Sequence, residues 1–142
     1  MKTARHRSRE IALQALYAWQ LAGGDPLDEL RTLDKEGRAD RELAEALVRG
    51  VLERADALRA LIAPCLDRDF ARLSPVERAI LYIGAFELQA HPETPFKVVV
   101  NEAVELGKSF GGTGGHKFVN GVLEKLAGGL RPDEVGRRKQ PA

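Results

Sequence analysis

Catalytic chemistry needs convergent groups, such as a nucleophile with its base or carboxylates held at a fixed separation. The residues capable of it are scattered in this chain. His6 lies near the N-terminus, His91 before Pro92 and His116 after a glycine run, with no metal-ligand spacing such as HExxH. Cys65 stands alone after Pro64, which excludes an internal disulfide and a CxxC knuckle and reads as an inert, buried or half-buried thiol. The loop Gly111-Gly112-Thr113-Gly114-Gly115, followed by His116-Lys117, has the composition of a phosphate cradle. It lacks the GxxxxGKS or GxxxxGKT spacing, and no strand precedes it. The expectation is a protein without catalysis, metal or cofactor.

Residues suited to binding group better. Lys2, Arg5, Arg7 and Arg9 form a basic N-terminal arm over residues 1–8 and just beyond, beside a helix that carries Gln14, Tyr17 and Gln20. Arginine grips phosphates through two donors and stacks on bases, and tyrosine offers a stacking face for unpaired RNA. Lys117, Phe118 and Asn120 add a cation, an aromatic and an amide next to the glycine loop. Each residue also has an ordinary role open to it. Tyr17 and Phe118 can be core aromatics at helical spacing, and Asn120 can bridge helix ends. Together they point to single-stranded RNA.

The elements that must position these groups read as helices. Ile11, Ala12, Ala15, Leu16 and Trp19 recur at spacings of three and four, giving a helix from about Ser8 to Gly23-Gly24. Asp25-Pro26 opens a short helix to about Thr32, and Gly37 breaks the next stretch. Leu43, Leu47, Val51, Ala55, Leu58 and Ile62 define a long helix from Asp40 that ends before Pro64. Ser74-Pro75-Val76-Glu77 is a capping box, and the run Ala79–Leu88 is apolar on most faces, as in a central helix. A further helix starts at Thr94-Pro95 and runs to Phe110. Its segment Phe96–Val100 favours extended chain, but no second strand exists to pair with it. Phe118, Val119, Val122, Leu123 and Leu126 form a last helix that Gly128-Gly129 ends. The fold class is all-α, about seven helices in one domain over residues 1–130, with a polar, disordered tail over 131–142.

Size and charge agree with that class. The chain has 142 residues, 44% hydrophobic and 30% charged, enough for one core and too apolar for a disordered chain. It has no run approaching the ~20 apolar residues of a membrane span and no signal-peptide pattern, so a reduced cytoplasmic protein is expected. The formal net charge of +1 hides an uneven distribution. Both ends are basic, the C-terminal one through Arg131, Arg137, Arg138 and Lys139, while the body between them is net acidic. Such a layout suits one partner that attracts cations and a second that does not.

Three blocks carry a family resemblance: Arg9-Glu10 through Ala12-Leu13-Gln14-Ala15-Leu16-Tyr17; Val76-Glu77-Arg78-Ala79-Ile80-Leu81 with Phe86-Glu87-Leu88; and Pro95–Phe110 followed by His116-Lys117-Phe118-Val119-Asn120-Gly121-Val122-Leu123. In this order, over residues 5 to about 127, they resemble the NusB family of transcription antitermination factors. The resemblance implies a bundle of two helical subdomains. It implies binding to boxA RNA of ribosomal RNA leader transcripts as a heterodimer with NusE, a small-subunit ribosomal protein, with other Nus factors and RNA polymerase engaged indirectly. Lys2, Arg5, Arg7, Arg9, Gln14 and Tyr17 then match the RNA-facing arm and first helix, and Lys117 and Phe118 match the last helix's share of that site. Glu77, with Arg78 and Tyr82, matches the side that meets NusE. The chain departs from the family at Tyr82, usually Arg, at Gly84, usually Ala, and in its glycine-rich loop. Two other readings stay open: an RNA-binding appendage to a ribosomal RNA methyltransferase on another polypeptide, and a protein-interaction bundle, including a homodimer through the RNA face.

Overall fold

A computed structural model describes residues 2–139, and the side chains of residues 2–136. The basic residues Arg137, Arg138 and Lys139 of the C-terminal end therefore lie outside the described side chains, and residues 140–142 of the expected tail lie outside the described residues. Among the described residues there are seven α-helices and no strands: α1 Ala4–Ala22, α2 Pro26–Leu33, α3 Arg41–Ile62, α4 Pro75–Ala90, α5 Phe96–Phe110, α6 Gly115–Leu130 and α7 Pro132–Lys139. Two short 3₁₀ turns, Ala63–Cys65 and Phe70–Arg72, link α3 to α4. Among the described residues no helix is long and apolar enough to cross a membrane.

Helices α1, α2 and α3 pack as one three-helix unit and α4, α5 and α6 as a second, joined where α1 and α3 lie on α4. The all-helical class is as the sequence indicates, and the two subdomains are as the family resemblance implies. Helix α4 is the shared centre, with every residue from Ala79 to Leu88 buried. Its start is fixed by the capping box: the Glu77 amide donates to Ser74 Oγ and the Ser74 amide donates to Glu77 Oε1, each at 3.1 Å. Glycines let α4 meet its neighbours closely. A Cβ at Gly50 of α3 would overlap the Phe86 ring, and one at Gly84 would come within 2.8 Å of the flexible end of Leu123.

Three boundaries differ from the sequence reading. The N-terminal arm is helical from Ala4, because the Thr3 side chain accepts from the His6 amide at 3.0 Å and caps α1 a turn earlier than expected. Helix α6 continues through Gly128 and Gly129 to Leu130, since both glycines face solvent while Leu126 and Ala127 are buried beside them. The expected disordered tail is corrected from its first residue. Arg131 donates to the carbonyls of Leu88, Glu87, His91 and Thr94 at 2.6–3.1 Å, satisfying the C-terminal end of α4. Glu134 accepts from the Phe96 amide at 2.7 Å, supplying α5 with the cap that Pro95 cannot, and Val135 is buried.

The Gly50–Phe86 approach gives a stability prediction. The Phe86 ring also carries the Arg54 guanidinium at 5.5 Å and meets His91 edge-on, so it cannot retreat freely. Gly50→Ala should lower the unfolding free energy by about 2 kcal/mol in urea titration, with an unchanged m-value.

Candidate nucleic-acid interface

The first half of α1 is anchored by buried charge. Arg9 is 2% exposed, with Nη2 donating to Glu87 Oε1 at 2.8 Å, Nε to Glu87 Oε2 at 2.9 Å and Nη1 to Glu102 Oε1 at 3.0 Å. Burial works to lower the pKa of this guanidinium, but the hydrogen bond and charge of Glu87, followed by those of Glu102, outweigh it and leave it raised. The assignment of Arg9 to the RNA contacts is therefore corrected: it joins α1 to α4 and α5 inside the core.

One turn along, Glu10 is buried and gathers cations from the protein edge. Lys2 Nζ donates to it at 2.7 Å and Arg7 Nη1 at 3.2 Å, while His6 sits 3.8 Å away and pairs through Nδ1 with Glu102 at 2.5 Å. Desolvation pushes the Glu10 pKa up, but hydrogen bonds from Lys2 and Arg7, with the charges of Lys2 and His6, bring it below the usual carboxylate value. Lys2 and Arg7 thus stand at the surface in fixed places rather than on a free arm. Arg5 is more loosely held, 3.6 Å from Asp40.

Arg7, Gln14, Tyr17 and Leu21 share one stripe of α1 by their spacing of seven, three and four. Tyr17 is 39% exposed and Leu21 60%, so an aromatic and an aliphatic face solvent beyond the cations. Gln14 is half-buried, its Oε1 buried without a hydrogen-bond partner among the described residues. Beside the start of this stripe an open cleft of about 880 Å³ runs between the N-terminus of α1 and the α2–α3 loop. Lys2, Arg7, Lys35 and Arg38 line it, against Asp34 and Glu36. Asp34 is turned inward, accepting from the amides of Arg38 and Ala39 at 3.0 and 3.2 Å around Gly37, whose φ is +65°. Glu36 pairs with exposed Arg38, at 2.8 Å. The sequence reading missed Lys35 and Arg38, because nothing in their local pattern tells a solvated loop charge from a cleft wall.

The second group of expected residues lies at the start of α6. Lys117 is exposed, and Phe118 is half-buried with the Arg68 guanidinium 4.9 Å over its ring. Arg68 was likewise not singled out in the sequence. Cys65 in the same neighbourhood is half-buried, its thiol pKa raised by burial against the opposing charge of Lys125.

The residues expected to face a protein partner meet along the start of α4. Arg78 donates through Nε to Gln20 at 2.7 Å and through Nη1 to the Ala71 carbonyl at 3.0 Å. Tyr82 is only 7% exposed and packs edge-on to Phe70, and burial raises its hydroxyl pKa. It forms the floor rather than the rim of a groove of about 410 Å³ that Trp19, Arg59, Phe70 and Arg78 also line. Glu77 is half-buried in the capping box at the start of the same helix.

Fold and surface together define a class: a two-subdomain helical bundle presenting one cation-and-aromatic face and one aromatic groove. Residues 6–128 match the NusB family model, and the chain belongs to that family. It is 54% identical over 138 residues, 95% of this chain and 96% of the relative, to the transcription antitermination protein NusB of Paraburkholderia phytofirmans. The T. maritima NusB structure matches with a TM-score of 0.82 and 29% identity over 98% of each chain. A structure of antitermination factors NusB and NusE in complex with double-stranded RNA matches with a TM-score of 0.78 and 27% identity, over 87% of this chain and 96% of the other.

Two outcomes follow from the charge network. Arg9→Ala strands the Glu87 carboxylate in the core, leaves Glu102 with His6 alone, and should cost about 3–5 kcal/mol of stability, seen as a large fall in the urea midpoint. Glu10 has a folded pKa below its unfolded one, so its stabilisation is present at neutral pH and is lost as pH falls through the acidic carboxylate range. Glu10→Gln should be about 1 kcal/mol less stable than the parent at pH 7. Thermal melts should show that gap closing on acidification to about pH 3.

Proposed function

We propose that this protein is a cytoplasmic transcription antitermination factor that binds boxA RNA of ribosomal RNA leader transcripts as a heterodimer with NusE. Its 54% identity over nearly the whole chain to a curated antitermination protein carries this reading. The fold shared with NusB in a NusB–NusE–RNA structure supports it. The protein acts by binding rather than catalysis, and the assembled pair helps bring further Nus factors to RNA polymerase.

The chemistry of the α1 face fits that role. Lys2, Arg5 and Arg7 meet the RNA backbone and supply affinity that depends on salt and tolerates sequence. Exposed Tyr17 provides a stacking face for an unpaired base, and base edges near Gln14 add selectivity. Lys35 and Arg38 extend the cationic wall across the cleft. Lys117 and Phe118 form a second contact on α6, and Glu77, Arg78 and the groove floored by Tyr82 receive NusE. The acidic body favours a basic ribosomal protein.

Fluorescence anisotropy with boxA and scrambled RNA, each with and without NusE, tests the reading. BoxA should bind more tightly, and NusE should tighten it further. Arg7→Ala should weaken boxA binding several-fold and lower the slope of log affinity against log salt by about 0.7, the value for one phosphate on a single strand. Equal binding of both RNAs with no effect of NusE would reject the antitermination role and favour the homodimer through the same face.

A further inference from the structure

The half-buried Phe118 packs against the core, and its ring carries a cation. Arg68, in the loop between the two 3₁₀ turns, holds its guanidinium 4.9 Å over the ring. Asp67 grips that guanidinium from the side, Nε to Oδ1 at 2.8 Å and Nη2 to Oδ2 at 3.2 Å. Arg68 remains 46% exposed, so its side chain is open to solvent while its guanidinium lies over the ring. A base reaching this place meets the guanidinium before it meets the phenyl ring.

We propose that Arg68 is the stacking platform for an RNA base at the start of α6, with Phe118 supporting it from beneath and Asp67 fixing its plane. This assignment rests on the RNA-binding reading above and changes the part that Phe118 plays in it. A guanidinium is planar, weakly hydrated and stacks on nucleobases, while its charge draws the neighbouring phosphate. A lysine supplies the charge without the plane. The surroundings suit a polyanion. Exposed Lys117 adjoins Phe118, and the charge of Lys125 acts on both Asp67 and Cys65. Glu77 is close enough for its charge to help raise the Arg68 pKa, after the larger effect of Asp67. Arg68 therefore adjoins the proposed RNA contact on α6 and feels the charge of the proposed NusE contact on α4.

The test uses the full chain, a single-stranded boxA oligonucleotide and the variants Arg68→Ala, Arg68→Lys and Phe118→Leu. Arg68 lies in an exposed loop, so its variants should keep the parent's melting temperature. Arg68→Ala and Arg68→Lys should each lose roughly tenfold in affinity, with the Lys variant keeping the parent's salt slope. Quenching of 2-aminopurine, scanned along the oligonucleotide, should fall at one position in both variants. Phe118→Leu should weaken binding in the parent but change little in the Arg68→Ala background. Unchanged or tighter binding by Arg68→Ala would show that the base uses the ring itself and would overturn the proposal. So would full affinity in Arg68→Lys, which would reduce Arg68 to a point charge. Absence of any boxA binding by the parent chain would instead overturn the functional reading, and this inference with it.

Discussion

The arrangement of the exposed face depends on a charge cluster that is not exposed. Placing the Arg9 guanidinium at 2% exposure removes it from water at a cost of several kcal/mol, which only well-placed partners offset. Glu87 takes two of its donors and Glu102 a third, leaving little freedom in how α1 can rotate on α4 and α5. With Arg9 turned inward, the helical period carries Arg7 to the opposite side and Gln14, Tyr17 and Leu21 along the flank that follows it. A greasy contact in the same place would hold α1 to the core, but it would specify the rotation less sharply, because apolar packing is less directional. The buried cluster thus sets the outward stripe.

Much of this fold is legible in the sequence because its signals are local. The Ser74–Glu77 capping box, Pro26 at the start of α2 and the apolar run of α4 each describe structure formed within a few residues. The misreadings arise where a side chain acts at a distance. Arg131 and Glu134 look like solvated tail residues, yet they close the ends of α4 and α5, some 35 to 45 residues back along the chain. Thr3 looks like part of a loose arm because the first turn of α1 has no large apolar residue to reveal its period. Arg9 is more instructive. It lies three, four and seven residues before Ala12, Leu13 and Leu16, on their buried face, and Glu87 sits within the apolar run of α4. A cation on a core stripe and an anion in a central helix are together the signature of a buried pair, and charge counting at the terminus hid it.

The candidate site was less legible than the fold, for a related reason. Exposed cations look alike in sequence, whether they project freely, as Arg5 nearly does, or are tethered, as Lys2 and Arg7 are by Glu10. The tether has a physical consequence for binding. A cation held in place loses less side-chain entropy on meeting a phosphate, but the phosphate must compete with a carboxylate that already holds the charge. Glu10 is buried and cannot follow its partners outward, so the competition favours shared contacts rather than exchange. Affinity gained by such a face is moderate and strongly salt-dependent, which suits a protein whose selectivity comes from bases.

The proposed cooperation between RNA and NusE then needs no conformational switch. Gln20 lies three residues beyond Tyr17 on α1, and its side chain ties α1 to the start of α4: Nε2 donates to the Pro75 carbonyl at 2.9 Å, and Oε1 accepts from Arg78 at 2.7 Å. The stripe proposed to face RNA and the groove proposed to receive NusE are therefore adjoining parts of one packed unit. Two ligands that lie side by side on a rigid surface and touch each other gain from effective concentration alone, and that gain is reciprocal. A mechanism through shape change would need a bistable element between the sites. The elements joining them here are the capped start of α4, the Gln20 bridge and the buried Arg9 cluster, whose satisfied hydrogen bonds favour one arrangement. The proposed coupling is accordingly a property of the composite surface that RNA and NusE would build on this protein.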